Sequence, residues 1–463
     1  MESEARSVGY APTPGLSYDP TEPRYWDEAA LAGEVTRAFE ICHGCRMCFK
    51  YCDSFPILFR LVDEVHDGDV TKIDAAETAR VMDACFQCKL CEVQCPYTPR
   101  DQHPFQLDFP KLVHRFKAVR GKKQGFTLRD RVLGNPDAAG RMARLSLGMA
   151  NTMNRVGAHR WFLEKVLGID RRKDLPDFAA STFERWAESN GRIQAPPATG
   201  DAAPEAVLFQ TCYVQNNEPQ IGRDALDVLD HNGVRTACVS GLKCCGMPSW
   251  EHGDLDTLRA NARHNLDRLE PFVSRGSKVL AINPTCSMMM RREYAELLEG
   301  RDRDRALALS AAVMDPSEFL WGIRAEERFR ADVKSKPEGG IAYHAPCHLR
   351  AQAVGFKSRD LFKKLLGASV TPVIECCGHD GTYAMTVEGF EPAQRAGANA
   401  FRDMKAAEAS TWSTDCPLAA IQFRQFAGVK PMHPMTILAR AYRGDPFPPA
   451  DDHDGARGSE VSP

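Results

Sequence analysis

Residues 41–53 read ICHGCRMCFKYCD and residues 84–96 read ACFQCKLCEVQCP. Both carry the spacing Cys-x2-Cys-x2-Cys-x3-Cys: Cys42, Cys45, Cys48 and Cys52 in the first run, and Cys85, Cys88, Cys91 and Cys95 in the second, where Pro96 follows. An iron-sulfur cube needs one thiolate per iron. Two-residue gaps let a turning backbone aim three sulfurs at one cube, and the fourth ligand comes from elsewhere. In two-cluster ferredoxins the fourth cysteine of each run serves the other cube. The expected ligand sets are Cys42, Cys45, Cys48 and Cys95 for one [4Fe-4S] cluster, and Cys85, Cys88, Cys91 and Cys52 for a second. Structural zinc also favours Cys-x2-Cys pairs, but three consecutive ligands with a fourth three residues on is not its usual pattern. Asp53 stands where the second run has proline, so the exit turn is expected to differ without loss of a ligand.

Around these runs, residues 26–120 carry helix-like segments such as DAAETARVMDA and few strand signals, which predicts a small all-helical ferredoxin domain. Residues 1–25, with Pro12, Pro14, Pro20 and Pro23, read as a disordered arm. A basic helical region and linker follow over residues 121–204, where RMARLSLGMANTMNRV and HRWFLEKVLG have helical periodicity and IQAPPATGDAAP reads as the linker. Residues 111–173 hold 16 Lys/Arg against 4 Asp/Glu, although the whole chain has a net charge of -3. Such a block is expected to face a partner or an anionic surface.

From residue 205 the pattern changes to short apolar strands alternating with amphipathic helices. AVLFQT, VRTACVS and KVLAIN are separated by helical stretches, and the order recurs with IAYHAPC and TPVIEC after Gly340. This predicts two α/β repeats, 205–335 and 336–443, and a disordered tail over 444–463. The fold class expected is therefore α+β multidomain, with an all-helical dicluster ferredoxin domain followed by a duplicated α/β domain.

The chain has 463 residues and 17 cysteines. At this length no disulfide scaffold is needed for stability. No stretch approaches the roughly 20 apolar residues of a membrane span, and the N-terminus lacks the features of a secretory signal. The protein is expected in the cytoplasm, where thiols stay reduced and cysteines serve metal or redox chemistry. Each repeat supplies a cysteine after its first strand (Cys212, Cys347), a Cys-Cys-Gly triplet after its second (Cys244, Cys245, Gly246; Cys376, Cys377, Gly378) and a cysteine after its third (Cys286, Cys416). Carboxyl ends of neighbouring parallel strands converge in a crevice, so Cys212, Cys244, Cys245 and Cys286 form a candidate third metal site, and Cys347, Cys376, Cys377 and Cys416 a fourth. Glycine after the pair is expected to let the backbone approach a bulky cofactor. Cys238, left over in VRTACVS, reads as a core residue.

Over roughly residues 35–440 this arrangement resembles the two-copy cysteine-rich CCG family fused to a dicluster ferredoxin, as in the iron-sulfur subunits of anaerobic glycerol-3-phosphate dehydrogenase and glycolate oxidase and in the heterodisulfide reductase B and C modules. YHAPCHL at residues 343–349 is similar to the family's entry into its second copy. The complete family motif ends each copy in Cys-x2-Cys. Here the first of those positions is Asn283 in NPTC and Ser413 in STDC. Four thiolates per copy suffice for an ordinary cube, whereas the five-thiolate site of the disulfide-cleaving enzymes is not complete.

The resemblance implies an iron-sulfur electron-transfer subunit that works between a flavin-containing dehydrogenase subunit and an acceptor such as a quinone. Its cofactors would be two [4Fe-4S] clusters, with one or two further iron-sulfur clusters at the CCG motifs. The alternative is a heterodisulfide-reductase-like catalyst acting on a disulfide or another small substrate. No G-x-G fingerprint and no Walker A motif occur, so no flavin or nucleotide site within the chain is expected. His43, His344, His348 and His379 lie near the motifs, where a hydrogen bond to a ligand-bearing segment or core packing is the commoner role; no catalytic residue is assigned. The basic helices are candidates for contact with a flavoprotein, a quinone-bearing membrane or its anionic headgroups, giving a peripheral position on the cytoplasmic face. Nucleic acid is not expected, since aromatic residues are not interleaved with the charges.

Overall fold

Strand β1 (Ala206–Phe209) is fully buried and pairs in parallel with β2 (Thr236–Cys238) on one side and β3 (Lys278–Ala281) on the other; β3 also pairs in parallel with β4 (Val313–Met314). A second sheet repeats the plan, with β5 (Ile341–His344) flanked by β6 (Val370–Val373) and β7 (Thr411–Thr414). The orders are β2-β1-β3-β4 and β6-β5-β7. Helices cover the faces of both sheets, so β1, β5 and β7 are buried at every position without in-out alternation, even where β7 reads TWST. In this computed structural model the described residues are 8–198, 202–379 and 381–447. The organisation is the α+β one expected from sequence, a helical N-terminal part followed by two small parallel α/β units.

The helix Phe109–Gln124 shows why the N-terminal part folds as it does. Asp108 caps it, accepting from the Lys111 amide at 3.0 Å, and a proline sits in its first turn, where the missing N–H costs nothing. Leu112, Val113, Ala118 and Val119 are buried along it. Arg115 is buried with them, and its guanidinium donates to the carbonyls of Gly15, Ser17, Arg24 and Tyr25. Those four acceptors lie in the stretch expected to be a disordered arm. From Val8 onward that expectation is corrected. Tyr25 is buried, Arg37 donates to the Tyr10 carbonyl, and the Thr13 amide donates to Glu34. Prolines disfavour a long helix there and leave only the short turn Pro23–Trp26, but backbone carbonyls need only a buried guanidinium to become structural.

The same helix runs across the boundary expected at residues 120/121. Beyond it lie shorter helices, Leu128–Leu133, Pro136–Leu145, Met149–Met153 and Gly157–Leu167. Part of the expected linker joins the first sheet, since Ile193 bridges Cys238 in parallel and the Gln194 amide donates to the Cys238 carbonyl at 3.1 Å. Most of the expected C-terminal tail, residues 448–463, lies outside the described residues.

Gly246 and Gly378 adopt positive φ, +90° and +72°. A Cβ on Gly246 would fall 2.3 Å from Leu258 Cδ1, and one on Gly378 would fall 1.9 Å from the Ala393 carbonyl oxygen. The close approach that requires glycine is thus to a helix behind the motif.

Candidate functional site

Cys42 and Cys45 end the helix Glu28–Cys45, which Arg46 closes in the left-handed conformation at φ 56°, turning the chain so that Cys48 faces back. Cys95 arrives from the second run. Cys42, Cys45, Cys48 and Cys95 together line a cavity of about 30 Å³ whose other walls include Ile41, Phe55, Phe59 and Leu107. Burial, reinforced by the neighbouring thiols, pushes Cys48 up to about 12 and raises Cys42 well above its ordinary value. Cys52, Cys85, Cys88 and Cys91 form the other group. Burial raises the thiols of Cys52, Cys88 and Cys91, and repulsion from Cys85 adds to each. Four thiols around an apolar hollow fit an iron-sulfur cube, which binds thiolates and releases their protons. The two groups touch, with the Cys48 thiol 3.9 Å from the Cys91 carbonyl. Asp53, the departure from the proline pattern, accepts from Arg395 of the second α/β unit.

The eight cysteines of the repeats occupy the carboxyl ends of their strands. Cys212 lies in the helix Thr211–Asn216, entered through Thr211 at φ +69°, a costly conformation for a β-branched residue. Cys244 accepts S–H hydrogen bonds from Cys212 and Cys245, which hold its thiol well below the usual range; the two donors are pushed up by the same contacts and by burial. Cys416 caps the helix Pro417–Ala427, its sulfur accepting from the Ala419 amide at 3.5 Å. The Gly378 amide likewise points at Cys376 Sγ, 3.3 Å away.

Sequence spacing suggested two separate sites, one per repeat. The structure opens both sets of thiols onto one cavity of about 310 Å³ between the units. Cys212, Cys244, Cys245 and Cys286 line it from the first unit, Cys347, Cys377 and Cys416 from the second, and Cys88 from the ferredoxin part. Cys376 turns away from the cavity into the core shared with the ferredoxin helices. Besides burial, Cys376 and Cys347 are the strongest influences on the Cys88 thiol. The thiols therefore follow one another from the first ferredoxin group to the second and on to the paired units. Among the described residues, no group of three or more His, Cys, Asp or Glu side chains is arranged to hold a single metal ion.

At the positions where the family pattern has its further cysteines, neither residue replaces a thiolate. Asn283 lines the cavity, but its Oδ1 is engaged by the Thr285 amide at 3.0 Å. Ser413 donates to the Met432 carbonyl at 3.1 Å and does not line the cavity.

The four histidines separate by environment. His43 pairs with Asp63 on the exterior. His344 is buried; its Nε2 donates to the Glu375 carbonyl at 3.2 Å, so Nδ1 accepts from Thr414. His348 joins three parts of the chain, because Nε2 must donate to the Gln87 carbonyl at 3.1 Å, leaving Nδ1 to accept from the Thr285 hydroxyl at 2.9 Å. Burial lowers His348 to about 4 and keeps it neutral. His379 stands on the cavity wall, and both its ring nitrogens are shielded from solvent with no hydrogen-bond partner.

One functional contact escaped the sequence. Asp137, on the helix Pro136–Leu145, accepts from the Cys244 amide at 2.8 Å, and burial with the Cys244 charge raises it to about 6. The basic region thus reaches the Cys-Cys-Gly motif through one of its few acids. Nothing in its spacing marked it.

Comparison with known proteins now fits the geometry. Residues 206–291 and 341–424 match the model of the cysteine-rich (CCG) domain, and residues 41–98 that of the 4Fe-4S dicluster domain. The chain thus carries two CCG domains behind a dicluster ferredoxin domain, a make-up that belongs to iron-sulfur proteins. It is homologous to a subunit of the anaerobic glycerol-3-phosphate dehydrogenase of Escherichia coli K12, 28% identical over 407 residues, spanning 87% of this chain and 98% of the relative. It is also homologous to the glycolate oxidase iron-sulfur subunit of the same organism, 23% identical over 374 residues, 77% of this chain and 83% of the relative. Lactate utilization protein A of Exiguobacterium is 26% identical over 188 residues, 39% of this chain and 74% of the relative.

Proposed function

We propose that this chain is the electron-transfer subunit of a multi-subunit oxidoreductase, receiving electrons from a flavin-containing dehydrogenase subunit and passing them to a quinone. The ferredoxin cysteines would hold two [4Fe-4S] clusters in the crossed sets named above, and the CCG cysteines further iron-sulfur cofactor. Bound clusters supply one-electron transfer. This chain's residues hold the thiolates, aim amides at them and keep water away. The observation that carries the reading is the unbroken succession of thiol groups, from the cavity at Cys42 through Cys88 to the cavity between the CCG units. Two relatives are by name subunits of a dehydrogenase and an oxidase, and that supports a catalytic partner outside this chain.

The helices 128–167 supply a second element. No described helix is long and apolar enough to cross a membrane. Met142, Leu145, Leu147, Met149, Trp161 and Phe162 are nevertheless exposed, Leu145 at 83% and Leu147 at 94%, beside the exposed Arg131, Arg141, Arg155 and Lys165. Apolar side chains in solvent among cations suit the headgroup boundary of an anionic bilayer, and we infer peripheral attachment there.

The test is anaerobic purification with quantitative iron and sulfide analysis. About eight irons for the ferredoxin part, together with a reducible [4Fe-4S] EPR signal, are expected. Stoichiometric zinc without iron would sink the proposal.

A further inference from the structure

We propose that His348 is the branch point between the ferredoxin part and the CCG units, a positioning residue through which single electrons pass from the second [4Fe-4S] cluster to the cofactor of either unit. This rests on the electron-transfer reading above and names the side chain on which its internal step depends.

Three observations converge. First, His348 joins three ligand-bearing segments. Its Nε2 donates to the Gln87 carbonyl at 3.1 Å, and that carbonyl belongs to the peptide bond entering Cys88. Its Nδ1 accepts from the Thr285 hydroxyl at 2.9 Å, and Thr285 stands directly before Cys286. Its own backbone continues from Cys347. One hydrogen bond therefore leads from the Cys88 peptide to His348, covalent bonds lead on to the second unit, and one further hydrogen bond leads to the first. Second, the chain is bent to make the first of these bonds. Gln87 lies in the left-handed region at φ 53°, which few residues other than glycine adopt. Gly44, at the same place in the first run, stays within the helix Glu28–Cys45 instead. Strained conformations of this kind cluster at functional sites. Third, the helix Cys347–Ala351 packs against both Leu90–Gln94 and Pro284–Met288, and each of the three carries one ligand cysteine, Cys347, Cys91 and Cys286. The Gln352 side-chain amide clamps the arrangement, donating to the Pro284 carbonyl at 3.1 Å and to the His348 carbonyl at 3.0 Å.

Electron tunnelling weakens far less along covalent and hydrogen bonds than across empty space, so a side chain that closes two gaps at once sets the rate on both routes. The imidazole is buried and engaged at both nitrogens, which fixes its tautomer and its ring plane. The step balances as one electron leaving the reduced ferredoxin cluster and one arriving at the CCG cofactor. His348 keeps its Nε2 proton throughout and is neither oxidised nor reduced. Thr285 serves only the branch to the first unit, so mutation separates the two routes.

The test uses the full chain, purified anaerobically with its clusters and reduced by deazaflavin flash photochemistry, with freeze-quench EPR following each iron-sulfur signal. His348→Leu, His348→Gln and Thr285→Val are compared with the parent for iron and sulfide content, midpoint potentials, and the rate at which the CCG signal grows after the ferredoxin signals appear. His348→Leu is expected to slow that growth about tenfold, with iron content unchanged and the ferredoxin signals appearing at the parent rate. His348→Gln keeps one donor and one acceptor and should recover part of the rate. Thr285→Val should slow one component of the growth and leave the rest at the parent rate. A purely structural role for His348 would lower stability without moving these rates.

Parent rates in both His348→Leu and Thr285→Val, with iron intact, would overturn the bridge while leaving electron transfer between the domains in place. Loss of iron in both His348 variants would make the imidazole a cluster ligand and overturn its assignment as a bridge. A parent chain whose ferredoxin signals appear and whose CCG signal never follows would overturn the electron-transfer reading itself. Should His348→Leu not fold, Thr285→Val decides alone, and uniform or absent slowing in that variant would overturn the branch.

Discussion

Lys89 Nζ donates to Glu293 Oε1, and both side chains are almost fully buried. Lys89 stands between the ligand candidates Cys88 and Cys91, in the left-handed conformation at φ 58°, while Glu293 belongs to the first CCG unit. The ammonium also lies over the Trp250 ring, 5.1 Å from its centroid. Burial pushes Glu293 up, but Lys89, Lys111 and Arg292 outweigh it and hold the carboxyl below its usual range. The contact fastens the second ferredoxin loop to the domain it faces.

Lys89→Met leaves Glu293 buried without its partner, and Glu293→Gln leaves Lys89 so. Either is expected to cost about 3–5 kcal/mol, since a lone buried charge is worse than none. The double replacement Lys89→Met/Glu293→Leu should recover much of the loss. Because the folded carboxyl sits below its unfolded value, its contribution is present above that unfolded value and is lost as pH falls through the folded one. Denaturant melts of the parent, Lys89→Met, Glu293→Leu and the double variant at neutral pH close the cycle; a double-variant loss equal to the sum of the two single losses would rule out the coupling.

Crossed ligation makes a countable prediction. Cys42→Ala together with Cys95→Ala removes two ligands of one cluster and should cost about four irons, whereas Cys85→Ala together with Cys95→Ala should cost about eight. Uncrossed runs would reverse the two results. Iron analysis of anaerobic preparations decides between them.

Asp315 is buried between the CCG units, with Oδ1 accepting from Ser287 at 2.8 Å and Oδ2 without a partner. Burial raises its carboxyl to about 7, with Arg291 and Ser287 opposing. A raised folded value means that its stability contribution is complete below the unfolded value and is lost as pH climbs through about 7. Asp315→Asn keeps the helix cap and removes the charge. It should stabilise the protein at pH 8 by up to about 4 kcal/mol and by less than half of that near pH 5. Thermal melts at both values are the measurement, and a pH-independent difference would contradict it.

Membrane attachment should depend on both apolar contact and charge. Met142→Glu/Leu145→Glu/Leu147→Glu, at exposed positions, should lower co-sedimentation with phosphatidylserine-containing vesicles at least about tenfold while leaving iron content intact. The parent's binding should fall as salt rises. Deleting residues 111–173 would be the wrong test, because Arg115 in that span organises the N-terminal segment.

Gly378→Ala should destabilise far more than an exposed glycine change. The added methyl meets the Ala393 carbonyl, and the backbone is left-handed. A loss of about 1–3 kcal/mol, read by denaturant unfolding, is expected. A neutral result would mean that the helix Phe390–Ala406 can shift away.

The α/β repeats were legible because parallel strands covered by helices read as short, mainly apolar runs, as in AVLF of β1 and IAY at the start of β5. The left-over Cys238 ends β2 inside the core, as its apolar neighbours implied. The N-terminal segment misled, since proline content reports the absence of a helix and says nothing about what a distant arginine does with the carbonyls. The atoms that crowd the glycines of the CCG triplets come from Leu258 and Ala393, twelve or more residues away in sequence, so no local pattern announces that contact.

Cysteine spacing along Cys42–Cys52 and Cys85–Cys95 is a local property. Ligand geometry within one turn depends on neighbouring dihedrals, so the dicluster motif and its duplicated companion could be read from order alone. Which thiols share a space is not local. The common cavity, the bridge made by His348, the salt link from Lys89 to Glu293 and the reach of Asp137 to Cys244 all join residues more than a hundred positions apart. Contacts of that separation follow from how helices and sheets pack against each other, and packing depends on the whole buried surface at once.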